Sequence, residues 1–147
     1  MKDYLFVFGL LYLFIIFGHG TTDTNNQTGV EQTIYGRVSA YSKDKTDMVI
    51  HNRTGGLKSV LQITTNLERY AGLIAVYDCS LIGREFHLIT NDGRTFLMLA
   101  FDCAGKADGG ASWMLDNQIA CEVDYYFWQA HPDIVFTDVT LKLLPKN

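Results

Sequence analysis

Two aspartates in the second half of the chain stand in apolar surroundings, where a charge needs a specific partner. Asp102 ends an apolar strand-like run and Asp124 lies inside another. A partly desolvated carboxylic acid has a raised pKa and can protonate a glycosidic oxygen, while a second carboxylate acts as base or stabilises charge on the sugar. A buried aspartate also serves architecture by accepting backbone N–H groups. Both roles remain open from the residues alone.

Further carboxylates lie near these two. Glu122 precedes Asp124 by two positions, so on one strand the two would share a face and could form a coupled pair with one raised pKa. Asp108 and Asp116 lie in predicted loops, and these two residues and Glu122 are most simply solvated charges. The pair Glu122 and Asp124 is therefore an alternative to the pair Asp102 and Asp124.

Aromatic residues offer flat surfaces beside the aspartates. The run Tyr125–Trp128 follows Asp124 directly, and Trp113 lies in a predicted loop between the two aspartates. Exposed rings can stack on the C–H face of a pyranose, whereas buried rings only fill the core. If Asp124 faces a groove, strand alternation predicts Tyr125 and Phe127 in the core and Trp113 as the sugar platform. The predicted substrate-binding residues are Trp113, Tyr126 and Tyr41.

Three cysteines, Cys79, Cys103 and Cys121, allow one disulfide in an oxidising compartment and leave one thiol. Pairing Cys103 with Cys121 would close a loop of about 18 residues worth about 3 kcal/mol, and Cys79 is equally free to pair with either. No two cysteines have zinc-knuckle spacing, and the histidines of the predicted domain are scattered at His51, His87 and His131. No metal or cofactor is predicted.

The start of the chain predicts export. A short charged start, an apolar run from Tyr4 to Phe17 and the small residues around His19 are typical of a signal peptide over residues 1–20. The apolar run is shorter than the ~20 residues of a membrane span, so cleavage is favoured over an anchor. Residues 21–32 form a polar leader, and residues 33–147 have the length of one domain. The expected location is extracellular, or periplasmic in a Gram-negative cell.

The sequence of the domain predicts mainly β structure. Strands are predicted where β-branched and aromatic residues alternate or cluster between turn residues, at Thr33–Tyr41, Leu73–Tyr77, Arg84–Thr90, Arg94–Phe101, Ile119–Phe127 and Val135–Leu144. Asn91-Asp92-Gly93 predicts an antiparallel hairpin. Ser42–Asp47 is predicted as a loop before a possible short strand, Met48–His51, and Asn52–Gly56 as a turn. Leu57–Tyr70 fits helix or strand. A small domain with this many strands removes its exposed edges by closing into a barrel.

Three segments carry a family resemblance. They are Gly36-Arg37-Val38-Ser39-Ala40-Tyr41, Leu99-Ala100-Phe101-Asp102-Cys103-Ala104-Gly105 and Cys121-Glu122-Val123-Asp124-Tyr125-Tyr126. With Ile134–Leu144 as a closing strand, the chain resembles the double-psi β-barrels of expansins, rare lipoprotein A and lytic transglycosylases. The resemblance implies a six-stranded double-psi barrel in which one short helix is possible, and Asp102 and Asp124 as the catalytic pair.

The expected function follows from this resemblance. It implies a secreted protein that cleaves or binds a cell-wall polysaccharide, peptidoglycan or a β-glucan, and it leaves open whether the protein is an enzyme, since expansin-like modules bind without hydrolysis. The alternative is a non-catalytic secreted module that contacts proteins. The net charge of −4 and the scattered basic residues exclude a nucleic-acid partner. No membrane span is expected after cleavage.

Overall fold

The computed structural model of the protein describes residues 32–52, 58–105 and 109–146. The predicted signal peptide, nearly all of the predicted leader, most of the predicted turn Asn52–Gly56 and Asp108 lie outside these residues. Six strands are present: β1 (Thr33–Ala40), β2 (Gly72–Val76), β3 (Glu85–Thr90), β4 (Thr95–Cys103), β5 (Ile119–Val123) and β6 (Asp138–Leu143). Four α-helices lie between them: α1 (Lys43–His51), α2 (Val60–Ile63), α3 (Gly110–Asp116) and α4 (Tyr125–Ala130). Two short 3₁₀ helices span Leu67–Arg69 and Cys79–Leu81.

The strands form a closed barrel in the order β1-β5-β2-β4-β3-β6. The pairs β1/β5 and β2/β4 are parallel, and the other four pairs are antiparallel. Closure gives every strand two partners, which satisfies the edge groups that an open sheet would expose. The prediction of a mainly β, six-stranded closed barrel is confirmed.

The two halves of the barrel interlock. Strand β5 lies between β1 and β2, and strand β2 lies in turn between β4 and β5. Each half, β1–β3 and β4–β6, therefore receives a strand of the other half between its own first two strands. The two three-stranded halves of the chain are therefore interleaved within one closed barrel.

The hairpin predicted at Asn91-Asp92-Gly93 is confirmed. Strands β3 and β4 pair in antiparallel register with Leu88 opposite Phe96, and the Thr90 N–H donates to the carbonyl oxygen of Arg94. Gly93 has a φ of 88°, a conformation that costs glycine little. The turn residues thus fix the register of the longest strand, which carries Asp102 near its end.

Apolar side chains form two large clusters on opposite faces of the strands and a third, smaller one of Ala104, Met114 and Ile119. The interior holds alternate residues of all six strands, among them Val38, Ile74, Phe86, Leu88, Met98, Ala100, Cys121, Val123, Val139 and Leu141. A second cluster lies on the outer face of β2 and β4 beneath α1 and α2, and consists of Tyr41, Val49, Val60, Leu73, Ala75, Leu99 and Phe101. The outer face of these two strands is therefore partly covered, and polar residues there are partly desolvated.

Two sequence predictions around α1 are corrected. Ser42–Asp47 is not a loop and Met48–His51 is not a strand, because Ser42 caps a helix there by accepting the Lys45 N–H at 3.3 Å. The ambiguous segment Leu57–Tyr70 contains helix α2 and a 3₁₀ turn. No helix in the described part of the chain combines the length and the apolar character needed to cross a membrane.

Three corrections concern the last third of the chain. The predicted strand Ile119–Phe127 ends at Val123, since the next residue, Asp124, caps α4. The predicted loop around Trp113 is helix α3. The last strand begins at Asp138 and not at Val135, because Ile134–Thr137 forms a turn closed by a 3.0 Å bond from the Thr137 N–H to the Ile134 carbonyl oxygen.

Candidate functional site

Four residues on four adjacent strands form one row on the outside of the barrel. Ser39 of β1 pairs with Glu122 of β5, Glu122 pairs with Ala75 of β2, and Ala75 pairs with Asp102 of β4. Paired residues on adjacent strands point to the same face of a sheet. Because Ala75 belongs to the outer cluster, the row lies on the outer face. Two carboxyl side chains thus stand on either side of a methyl group.

A register shift brings Asp102 into this row. Ile74 pairs with Ala100, but the next residue of β2, Ala75, pairs with Asp102, so Phe101 is the extra residue of a bulge. A bulge re-aims the side chains on its strand. Phe101 packs edge-on against the ring of Tyr41, and Asp102 accepts a hydrogen bond from the hydroxyl of the same tyrosine.

The buried Asp102 carboxylate is held at both oxygens. The Tyr41 hydroxyl donates to Oδ2 at 2.8 Å, and the Cys103 backbone N–H donates to Oδ1 at 2.8 Å. Tyr41 is itself only 3% exposed, and the Lys45 ammonium lies 4.1 Å from the centre of its ring. Asp102 is therefore fixed in position by two hydrogen bonds, and an exposed cation lies against the ring of its tyrosine donor.

The second carboxyl of the row, Glu122, is half-buried. It accepts a hydrogen bond from the Ser39 hydroxyl at 3.0 Å. Burial raises the pKa of Glu122, and the charge of Asp102 raises it further, while the Ser39 hydrogen bond and the Lys45 ammonium act in the opposite direction. The protonated form of Glu122 is therefore favoured, mainly by burial and in part by the nearby charge of Asp102.

Asp124 lies elsewhere and has a different role. Its Oδ1 accepts the backbone N–H groups of Tyr126 at 2.8 Å and Phe127 at 2.9 Å, which caps α4, and its Oδ2 accepts the Leu73 N–H at 2.6 Å. Asp124 thus has the architectural role that the sequence alone could not distinguish from a catalytic one. The predicted pairing of Glu122 and Asp124 on one strand face does not form, because β5 ends at Val123.

The predicted sugar-binding aromatics are separated by the fold. Tyr41 is buried, and its hydroxyl serves Asp102. Trp113 on α3 and Tyr126 on α4 are each 48% exposed, so both rings offer free surface. The helical geometry of α4 also accounts for the burial of the residues on either side of Tyr126. Phe127 is buried, as expected, whereas Tyr125 is only half-buried.

The disulfide joins Cys79 to Cys103, one of the pairings that the sequence allowed. It ties the 3₁₀ helix after β2 to the end of β4, beside Asp102. Cys121 remains a free thiol inside the barrel, and burial raises its pKa. A neutral, inaccessible thiol is a poor nucleophile, so Cys121 is a core residue.

Sequence reasoning missed Ser39, Lys45 and the partnership of Glu122 with Asp102. Alternation along β1 does place Ser39 and Tyr41 on one face. No local signal, however, indicates that β5 lies beside β1 or that β4 carries a bulge. Among the residues that the structure describes, no three histidine, cysteine or carboxylate side chains gather in a way that could hold a metal ion.

Comparison with known proteins adds no relative: no family model, curated protein or solved structure matches the chain.

Proposed function

We propose that this domain binds a cell-wall polysaccharide on the outer face of the barrel, and that Glu122 and Asp102 can act on a glycosidic bond there. The observation that carries the proposal is the placement of these two carboxyls on either side of Ala75 in one row. Two strand spacings, about 10 Å, separate their backbones. Carboxyl groups on side chains at this separation can span the roughly 5 to 9.5 Å found in glycoside-cleaving pairs.

The two carboxyls have the unequal environments that acid and base roles require. Glu122 has a raised pKa and can hold the proton that a leaving glycosidic oxygen needs. Asp102 accepts two hydrogen bonds that hold its carboxyl group in place, so it would stabilise positive charge on the sugar or act as base. Asp124 has no part in this proposal, because backbone N–H groups already bind both of its oxygens.

The disulfide supports the extracellular or periplasmic location that the sequence predicts. Cys79 is exposed, and such bonds persist in oxidising compartments. A polysaccharide of the cell wall is a partner that a protein would meet there. Both the location and the partner belong to the proposal.

The test compares the wild type with Glu122→Gln and Asp102→Asn on purified peptidoglycan, chitin and cellulose. Asp116→Asn, which removes an exposed carboxyl from α3, is the matched control. We expect soluble fragments from the wild type and the control, and a loss of at least tenfold in both site variants. Pelleting with the polymer but no fragments in any protein would reduce the proposal to a binding module. Neither pelleting nor fragments would reject it.

A protein-contact module is the second candidate, and one observation favours it. Tyr35 on β1 and Phe136 before β6 are each 74% exposed, and the Phe136 N–H donates to the carbonyl oxygen of Val38 on β1. Large exposed aromatics are enriched in protein interfaces. If the double variant Tyr35→Ser, Phe136→Ser pelleted with polymer as the wild type does, this surface would not serve the polysaccharide.

A further inference from the structure

An apolar cavity of about 230 Å³ opens between α1, α4 and the start of β2. Its wall is made mainly of aliphatic and aromatic side chains, including Ile50, Leu67, Leu73, Phe127 and Ala130. The cavity is smaller than the 300 to 1,000 Å³ of pockets for drug-sized ligands. It therefore fits one substituent, or part of one sugar ring, and not a whole oligomer.

The absence of a side chain at Gly72 allows the Phe127 ring to form one wall of this cavity. A Cβ atom at Gly72 would lie 2.8 Å from two atoms of the Phe127 side chain, so only glycine lets that ring pack against β2. Asp124 also borders the cavity, but its oxygens face three backbone N–H groups. The interior consequently offers a ligand apolar contact and hardly any hydrogen bonding.

The mouth of the cavity carries a flat ring that is held in place. Tyr126 lines the cavity, and its hydroxyl donates to Asp47 Oδ1 at 2.6 Å. Asp47 also pairs with the Lys43 ammonium at 2.7 Å. The hydroxyl is anchored on α1 while almost half of the side chain stays exposed, so the ring is a preformed platform with charged, hydrogen-bonding groups at its rim.

We propose that this cavity is a subsite for a 2-acetamido sugar. The pyranose ring stacks on Tyr126, its hydroxyls meet Asp47 and Lys43 at the rim, and the methyl of the acetamido group enters the apolar interior. A hydroxyl group, which replaces the acetamido group in a plain glucan, would lose its water there without finding a partner. The inference rests on the proposed function and narrows its polymer to one built of N-acetylated sugars.

The subsite and the carboxyl row are neighbours on one strand. Leu73 lines the cavity and Ala75 lies in the row, and these residues share the outer face of β2 two positions apart. Two positions along a strand span about 7 Å. The cavity and the row are therefore close to each other along β2, while the side chains of Leu73 and Ala75 between them are buried.

The experiment titrates the protein with chitotetraose and with cellotetraose by calorimetry and by amide chemical shifts. These probes differ in the acetamido group at each ring, so the comparison isolates the cavity. We expect at least tenfold tighter binding of chitotetraose and shifts at residues around the cavity. Tyr126→Ala should abolish this binding, while Tyr35→Ala, which removes an equally large exposed ring on β1, should leave it unchanged.

A second variant keeps the proposal testable if Tyr126→Ala fails to fold. Ala71 borders the cavity from an exposed position, so Ala71→Leu should narrow the mouth without entering the core. We expect Ala71→Leu to weaken chitotetraose at least tenfold with unchanged thermal unfolding. Equal affinity for the two tetraoses, or wild-type affinity in Ala71→Leu, would overturn the subsite and leave polysaccharide binding intact. Binding of neither tetraose, together with no pelleting on any polymer, would overturn both proposals.

Discussion

The Tyr41 hydroxyl donates a 2.8 Å hydrogen bond to Oδ2 of Asp102, from a residue 61 positions earlier in the chain. The bond joins the segment after β1 to the end of β4, and both side chains are buried. A buried carboxylate that loses such a donor keeps the cost of its desolvation with one hydrogen bond fewer to offset it. The Tyr41 hydroxyl therefore stabilises the position of Asp102 as well as the fold.

Replacing Tyr41 with phenylalanine tests this bond. We expect Tyr41→Phe to lower the free energy of unfolding by about 1.5 to 3 kcal/mol, because a hydrogen bond to a charged group is lost in a buried site. Urea denaturation followed by fluorescence measures the change. Tyr35→Phe, at an exposed tyrosine, should stay within about 0.5 kcal/mol of the wild type. Equal stability of the two variants would mean that the bond contributes nothing.

The raised pKa of Glu122 predicts a dependence of stability on pH. Between its unfolded pKa, about 4.3, and its higher folded pKa, the folded state binds more protons, so the contribution of Glu122 to stability falls as pH rises. Glu122→Gln removes this proton uptake and keeps an acceptor for Ser39. The variant should therefore gain stability relative to the wild type as pH rises from about 4 to 8.

Thermal unfolding of both proteins across that pH range measures the difference. Asp116→Asn serves as the control, because it removes a carboxyl from the exposed surface of α3. A constant difference between Glu122→Gln and the wild type at every pH would contradict the shift.

Asp124 offers a graded test of its architectural role. Asp124→Ala removes the α4 cap and leaves the buried Leu73 N–H without an acceptor, which should cost about 2 to 4 kcal/mol. Asp124→Asn keeps one carbonyl oxygen and should cost about half as much. Urea midpoints at constant slope give both values. A fully stable Asp124→Ala would show that α4 does not depend on this cap.

Thiol labelling checks the disulfide assignment. With iodoacetamide and intact-mass detection, the native protein should take up no label, the unfolded unreduced protein one label and the unfolded reduced protein three. The single label should map to Cys121, which burial keeps neutral and inaccessible in the fold. Labelling of Cys79 or Cys103 in the unfolded unreduced protein would refute the pairing.

Losing the disulfide should also destabilise the domain. Cys79 and Cys103 are 24 positions apart, and a cross-link of this length is worth about 3.5 kcal/mol through the entropy of the unfolded chain. The double variant Cys79→Ser, Cys103→Ser should show this loss in urea. Cys121→Val, a change of similar volume in the interior, is the comparison for a cysteine that forms no bond.

Local sequence signals predicted the strands well and the helices poorly. Alternation and the Asn-Asp-Gly turn place β1, β3 and β4 to within one or two residues, because these features depend only on neighbouring residues. The run Tyr125–Trp128 is rich in β-forming aromatics, yet it is helical because Asp124 caps it and Phe127 packs against Gly72. Tertiary contacts there outweigh propensity.

For a related reason, the sequence indicated Asp102 more clearly than the second carboxyl of the row, Glu122. Asp102 was found because an acid after six consecutive apolar residues is conspicuous in any sequence. Its partner Glu122 looked like an ordinary surface charge, and only the order of strands in the barrel brings the two together on either side of Ala75. A register shift at Phe101, invisible in the sequence, completes the arrangement.

The interlocked order of strands constrains the time course of folding. Both neighbours of β1 in the barrel, β5 and β6, come from the last third of the chain. During synthesis, β1 can therefore find neither partner until residue 119 and those after it have emerged. Long-range pairing of this kind delays closure and slows folding, so the barrel stays open until β5 and β6 have been synthesised.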